Sequence, residues 1–143
     1  MQEYLDFATR NPLLAAAWLG LAGTLVYTTV RARFSPVKAV DNHTATLLIN
    51  RENAIVVDIR SQEEFAKGHL AGAHHLTLAQ IQANNLGPVE KHKDAPIIVV
   101  CESGMTAGGA GSQLSKAGFK QVYTLSGGMA QWRAANLPVS KKR

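Results

Sequence analysis

Cysteine is almost missing from this chain: among 143 residues only Cys101 carries a thiol. One thiol excludes an internal disulfide and any cysteine-based metal cluster, and an unpaired thiol is at home in a reducing compartment. Internal repeats and low-complexity segments are also missing. The stretch GMTAGGAGSQ has no Lys-Ser or Lys-Thr at P-loop spacing, which excludes that phosphate-binding loop. His74 and His75 have no cysteine or acidic residue at ligand spacing, so no metal is expected. The net charge is +5, but the basic residues are dispersed and not interleaved with aromatics, so no nucleic-acid partner is expected. Hydrophobic residues make up 46% of the chain, enough for one packed domain with an appendage.

Charge is absent from one long run. NPLLAAAWLGLAGTLVYTTV, bracketed by Arg10 and Arg31, holds no charged residue. About 20 helical residues span about 30 Å, the thickness of a bilayer's hydrocarbon core. Trp18 lies inside the run, and Tyr27 and Phe34 stand near its far end, where aromatic rings favour an interface. Residues 11–31 are therefore expected to form one transmembrane helix, after a flank at 1–10 and before a linker at 32–36. A cleaved signal peptide is disfavoured, because Glu3 and Asp6 precede Arg10 and TTVRARF offers no small-x-small site. A buried core helix would carry a polar stripe, and this one has none. Arg31, Arg33 and Lys38 outweigh Arg10, so positive-inside bias orients the C-terminal part towards the cytoplasm. The expected location is the inner (plasma) membrane, single-pass. Ala16, Gly20 and Gly23 loosely resemble a helix-packing face and leave room for a membrane protein partner.

Beyond the linker, strand and helix patterns alternate. KAV, AIVVDI, HHL, APIIVV and QVYTL read as strands, the second and fourth as buried β-branched runs. HTATLLIN reads as a helix capped by Asp41 or Asn42. SQEEFAKG carries capping-box spacing from Ser61 to Glu64, with Gly68 as its stop. TLAQIQANNLG, TAGGAGSQLSKAG and GGMAQWRAAN read as three further helices. This alternation predicts an α/β domain over 37–140 with a mostly parallel sheet between helices, then a basic tail at 141–143.

In such a sheet, ligands sit beyond the carboxyl ends of the strands. Cys101 occupies that end of the most apolar strand. A loop curling from it into a helix N-terminus would aim N–H groups inward and lower the thiol pKa, and would hold a persulfide as well. Gly104 suits the unusual backbone of such a loop, and Thr106 is placed to cap the helix and to donate to the sulfur. The competing reading is a small buried residue that ends a strand.

Three stretches resemble rhodanese-like domains. VVDIRSQEEFAKGHLAGAHHL is similar to their strand, Asp-x-Arg, helix and Gly-His-hydrophobic-x-Gly-Ala signature. IIVVCESGMTA is similar to their Cys-x-x-Gly-x-Thr loop, and GFKQVYTLSGGMAQWRAANLPV to their closing strand, Gly-Gly turn and tryptophan helix. The resemblance implies a rhodanese-like fold with a five-stranded sheet, and a sulfurtransferase that carries sulfane sulfur as a Cys101 persulfide and needs no metal or organic cofactor. It implies a substrate-binding loop of Glu102, Ser103, Gly104, Met105 and Thr106, with Asp58 and Arg60 supporting it. The partners would be a small sulfur donor and a thiol or protein acceptor. A second reading keeps the fold as a non-catalytic interaction module beside a membrane protein.

Departures from the pattern sharpen the expectation. The thiosulfate-specific members have basic residues after the cysteine; here stand Glu102 and Ser103. A carboxylate there repels thiosulfate and, depending on its direction, raises the thiol pKa. Phosphatase chemistry, which shares the fold, needs an arginine six positions after the cysteine, where this chain has Ala107. Gly108, Gly109 and Gly111 are read as allowing the following helix to pack closely on the sheet, and Trp132 as packing the last helix onto the core.

Overall fold

The computed structural model describes residues 1–33 and 36–141. Phe34, part of the 32–36 linker, and the last two residues of the basic tail lie outside the described residues. The chain divides into two compact units, Met1–Ser35 and Pro36–Arg143.

The first unit is two helices. α1, Gln2–Arg10, forms from the segment read only as a flank, with Tyr4, Phe7 and Ala8 recurring at helical spacing between Glu3, Asp6 and Arg10. The Asn11 backbone and side-chain amides both donate to the Phe7 carbonyl, at 3.0 and 3.2 Å, and close this helix. Pro12 then opens α2, Pro12–Arg33, at the position where a missing N–H costs nothing. Within α2, Pro12–Arg31 has a mean hydropathy of 1.6 and is long and apolar enough to cross a membrane. Its hydroxyls are satisfied inside the helix: Thr24 donates to the Gly20 carbonyl at 2.8 Å and Thr29 to Leu25 at 2.8 Å.

The second unit holds a five-stranded sheet, all pairs parallel, in the order β1-β5-β4-β2-β3. The strands are β1 (Val37–Val40), β2 (Ile55–Asp58), β3 (His74–His75), β4 (Ile97–Val100) and β5 (Val122–Leu125). Central β4 is buried on both faces, as a parallel strand between helices must be. Its alternating side chains divide the core. Ile97 and Val99 pack with α5 (Leu78–Gln82) and α6 (Ala107–Lys116) through Ile81, Ala110 and Leu114. Ile98 and Val100 face α3 (Asn42–Glu52) and α7 (Gly128–Ala134) through Leu48, Met129 and Trp132.

Local capping signals operate as read. The Asp41 carboxylate accepts from the Thr44 N–H at 2.7 Å and starts α3. Ser61 and Glu64 form the reciprocal capping box of α4, Gln62–Lys67. Trp132 seals α7 to the core and donates to the Pro138 carbonyl at 3.0 Å. One helix is much shorter than its pattern: α5 stops at Gln82 instead of running to Gly87. Asn84 takes a left-handed backbone (φ 57°), the Asn85 N–H returns to the Gln80 carbonyl at 2.9 Å, and a 3-10 turn over Gly87–His92 follows. Ser140 forms an antiparallel bridge with His69, so the folded unit closes just before the tail.

The glycines of α6 divide into two kinds. A Cβ on Gly111 would lie 3.0 Å from Val37 and 3.2 Å from Val122, so here the bare backbone does let the helix sit close on the sheet. A Cβ on Gly108 or Gly109 would meet nothing within 4 Å, so the close-packing reading does not extend to those two.

Candidate active site

β2 and β4 are neighbours, and Asp58 pairs in register with Val100. The two strand ends therefore bring Asp58-Ile59-Arg60 beside the loop that begins at Cys101. Cys101 is 3% exposed. The Gly104 N–H donates to its Sγ at 3.0 Å. Gly104 has φ +88°, and a Cβ there would stand 3.0 Å from the Gly127 nitrogen, so only glycine turns this loop without strain or collision.

The far side of the loop is held by α7. The Met129 N–H donates to the Cys101 carbonyl and the Ala130 N–H to the Glu102 carbonyl, both at 2.9 Å. This contact is so close that a Cβ on Gly128 (φ +59°) would lie 2.3 Å from the Cys101 oxygen. The Gly127-Gly128 pair thus exists to let a helix start against the cysteine loop.

Burial pushes the Cys101 thiol pKa up, but the Thr106 hydroxyl and the N–H groups of Ala107, Thr106 and Gly104 outweigh it and bring it below the ordinary thiol value. Thr106 makes no side-chain cap bond to α6, contrary to expectation; its own backbone is already helical (φ −86°, ψ −18°) and its hydroxyl acts on the sulfur instead. Ser103 and Met105 point to solvent, Met105 with 85% of its surface exposed.

Glu102 does not take the direction that would oppose the thiolate. Its carboxylate is turned to two guanidiniums, with Arg60 Nη1 at 3.4 Å from Oε2 and Arg133 donating through Nη2 to Oε1. Arg133 first, and then Arg60, hold the Glu102 carboxyl below the usual range against some burial. Arg60 is itself fixed. Its Nε lies 3.0 Å and its Nη2 2.7 Å from the Asp58 carboxylate, and Nη2 also donates to the Gly68 carbonyl at 2.7 Å. The His75 ring donates to the Arg60 carbonyl at 2.6 Å. Burial favours a neutral Arg60, but Asp58 and Glu102 together raise its pKa above the ordinary arginine value. His69 is committed to structure: it stacks on Phe65 at 3.8 Å and its Nδ1–H donates to the Phe65 carbonyl at 2.7 Å.

The structure thus gathers Cys101, Gly104, Thr106, Glu102, Arg60 and Asp58 and leaves Ser103 and Met105 outside the cluster. Arg133 is the member that sequence reasoning missed. It stands 31 positions from Glu102, one residue past a buried tryptophan, and no local spacing links the two. Among the described residues no group of three or more His, Cys, Asp or Glu is placed to hold a metal ion.

A five-stranded parallel sheet of this order, with one thiol leading a backbone-lined loop, defines the rhodanese class of α/β domains. Residues 41–135 match the rhodanese-like domain family, and the chain belongs to it. It is 46% identical to YibN of Escherichia coli K12 over 139 residues, 97% of each chain, a match that takes in the N-terminal helices. It is 34% identical to the thiosulfate sulfurtransferase GlpE of Vibrio cholerae over 100 residues, covering 70% of this chain and 92% of GlpE. Its fold matches a rhodanese-related protein of Thermoplasma volcanium at a TM-score of 0.59, with 22% identity over 73% of this chain and 99% of the other.

Proposed function

We propose that the chain is a membrane-anchored sulfurtransferase that moves sulfane sulfur through a persulfide on Cys101. The observation that carries this reading is the sulfur's setting: a buried thiol with the Gly104 N–H at 3.0 Å and the Thr106 hydroxyl turned to it, at the carboxyl end of a parallel strand. With thiosulfate as donor, the Cys101 thiolate attacks the outer sulfur, the S–S bond breaks, and sulfite leaves with the bonding pair. The product is a Cys101 persulfide anion. A nucleophilic acceptor, a thiol or protein in the cell and cyanide in an assay, then takes the outer sulfur and restores the thiolate. Neither step needs an external oxidant or reductant.

The apolar Pro12–Arg31 helix supports anchoring, and the excess of Arg31, Arg33 and Lys38 over Arg10 argues for a cytoplasm-facing domain at the inner membrane. A second reading, a non-catalytic module beside a membrane protein partner, draws on the 3% exposure of Cys101. Intact-mass analysis after incubation with thiosulfate or a persulfide donor separates the two. The catalytic reading requires a gain of one sulfur that is lost in Cys101→Ser; no gain with any donor leaves the interaction module.

A further inference from the structure

Beside the cysteine loop opens a cleft of about 410 Å³, walled by Arg60, Glu64, Lys67, Glu102 and Arg133. We propose that this cleft is an oxyanion-binding subsite built on Arg60 and Arg133, occupied at rest by the chain's own Glu102 carboxylate, so that an anionic sulfur donor enters only by displacing Glu102.

Arg60 is 6% exposed, and Asp58 and the Gly68 carbonyl consume its Nε and Nη2. Nη1 faces the cleft, where it meets the Glu102 carboxylate at 3.4 Å, the long limit of a hydrogen bond. Arg133 reaches the same carboxylate from α7 with both terminal nitrogens. Two guanidiniums converging on one pair of oxygens is the geometry that binds carboxylate, sulfate and phosphate alike. The resting occupant is loosely held, because the Glu102 and Arg133 side chains are both nearly half-exposed and exposed ion pairs are weak.

Charge leads to the same conclusion. The cleft is lined by Arg60, Lys67 and Arg133 against Glu64 and Glu102, Asp58 pairs with Arg60 from outside the lining, and Glu64 is committed to the Ser61 N–H. Withdrawing Glu102 leaves the cleft cationic. The acid that follows the nucleophile is then a filter on donors, acting by competition for the arginines and not by repulsion alone. In its effect on turnover this inference rests on the sulfurtransferase reading; the binding site itself does not.

The test uses the full chain in detergent, with inorganic sulfate as the probe and Cys101→Ser to remove sulfur chemistry. Calorimetry should show Glu102→Gln in that background binding sulfate about tenfold more tightly, the effect of about 1.4 kcal/mol. Adding Arg133→Met should erase the gain, and Arg133→Lys should restore part of it. With Cys101 present, Glu102→Gln should lower the thiosulfate KM about tenfold. No gain in sulfate binding overturns the proposal, and so does a gain that survives Arg133→Met, since net charge alone would then explain it. If sulfate binding responds as expected but no variant takes up sulfur from thiosulfate or from a persulfide donor, the subsite stands and the sulfurtransferase reading falls.

Discussion

At the scale of single residues, the thiol is set by what points at it. The lowered Cys101 pKa depends on Thr106 and on loop N–H groups, which favour the thiolate more than burial disfavours it. Alkylation by iodoacetamide should therefore have a pH midpoint below that of a free cysteine. Thr106→Val removes the hydroxyl and should move the midpoint up, slowing alkylation at neutral pH by about fivefold for a bond of about 1 kcal/mol. An unmoved midpoint would show that the loop backbone alone sets the thiol. The linkage has the sign of a depressed acid: the thiolate's contribution to stability is full above the unfolded-state pKa and is lost as pH falls through the lower folded value. Glu102 behaves in the same way in its own range, and its pairing with Arg133 persists below the usual carboxylate pKa.

At the scale of elements, α6 and α7 place the loop, and their glycines do different work. Gly111 is where α6 meets β1 and β5, so Gly111→Val should overpack the contact and cost roughly 1–3 kcal/mol. Gly108 and Gly109 have open space, so Gly108→Ala and Gly109→Ala should each stabilise by about 0.4–1 kcal/mol through lower chain entropy in the unfolded state. Calorimetric melting of the full chain in detergent checks both signs. A loss of stability in the alanine variants would mean that α6 needs its loose first turn. The N-terminal turn of α7 has no such freedom, because its amides hold the carbonyls of Cys101 and Glu102.

At the scale of the whole molecule, a helix of mean hydropathy 1.6 precedes a folded α/β unit with its own two-sided core. If Pro12–Arg31 anchors the chain with the basic flank inside, protease added to intact spheroplasts should spare residues 37–140. Permeabilisation should expose them. Digestion in intact spheroplasts would reverse the topology, and release of the chain by alkaline carbonate would remove the anchor.

Much of the architecture is legible one residue after another, because it rests on short-range signals. The β-branched runs Ile55–Asp58 and Ile97–Val100, the Ser61–Glu64 capping box and the charge-free stretch after Arg10 act within a few residues. They announce buried strands, a helix start and an apolar helix before any tertiary contact forms. Weak local signals are less legible: α1 has no long apolar run to announce it, and a left-handed Asn84 cuts α5 short of its pattern. The site divides along the same line. Cys101, Gly104 and Thr106 lie within six positions of one another, so their cooperation can be read from spacing. The fate of Glu102 cannot, because a carboxylate's effect depends on direction. That direction was decided by Arg60 at the end of β2 and Arg133 on α7, side chains that only sheet register and helix packing bring to the same pair of oxygens.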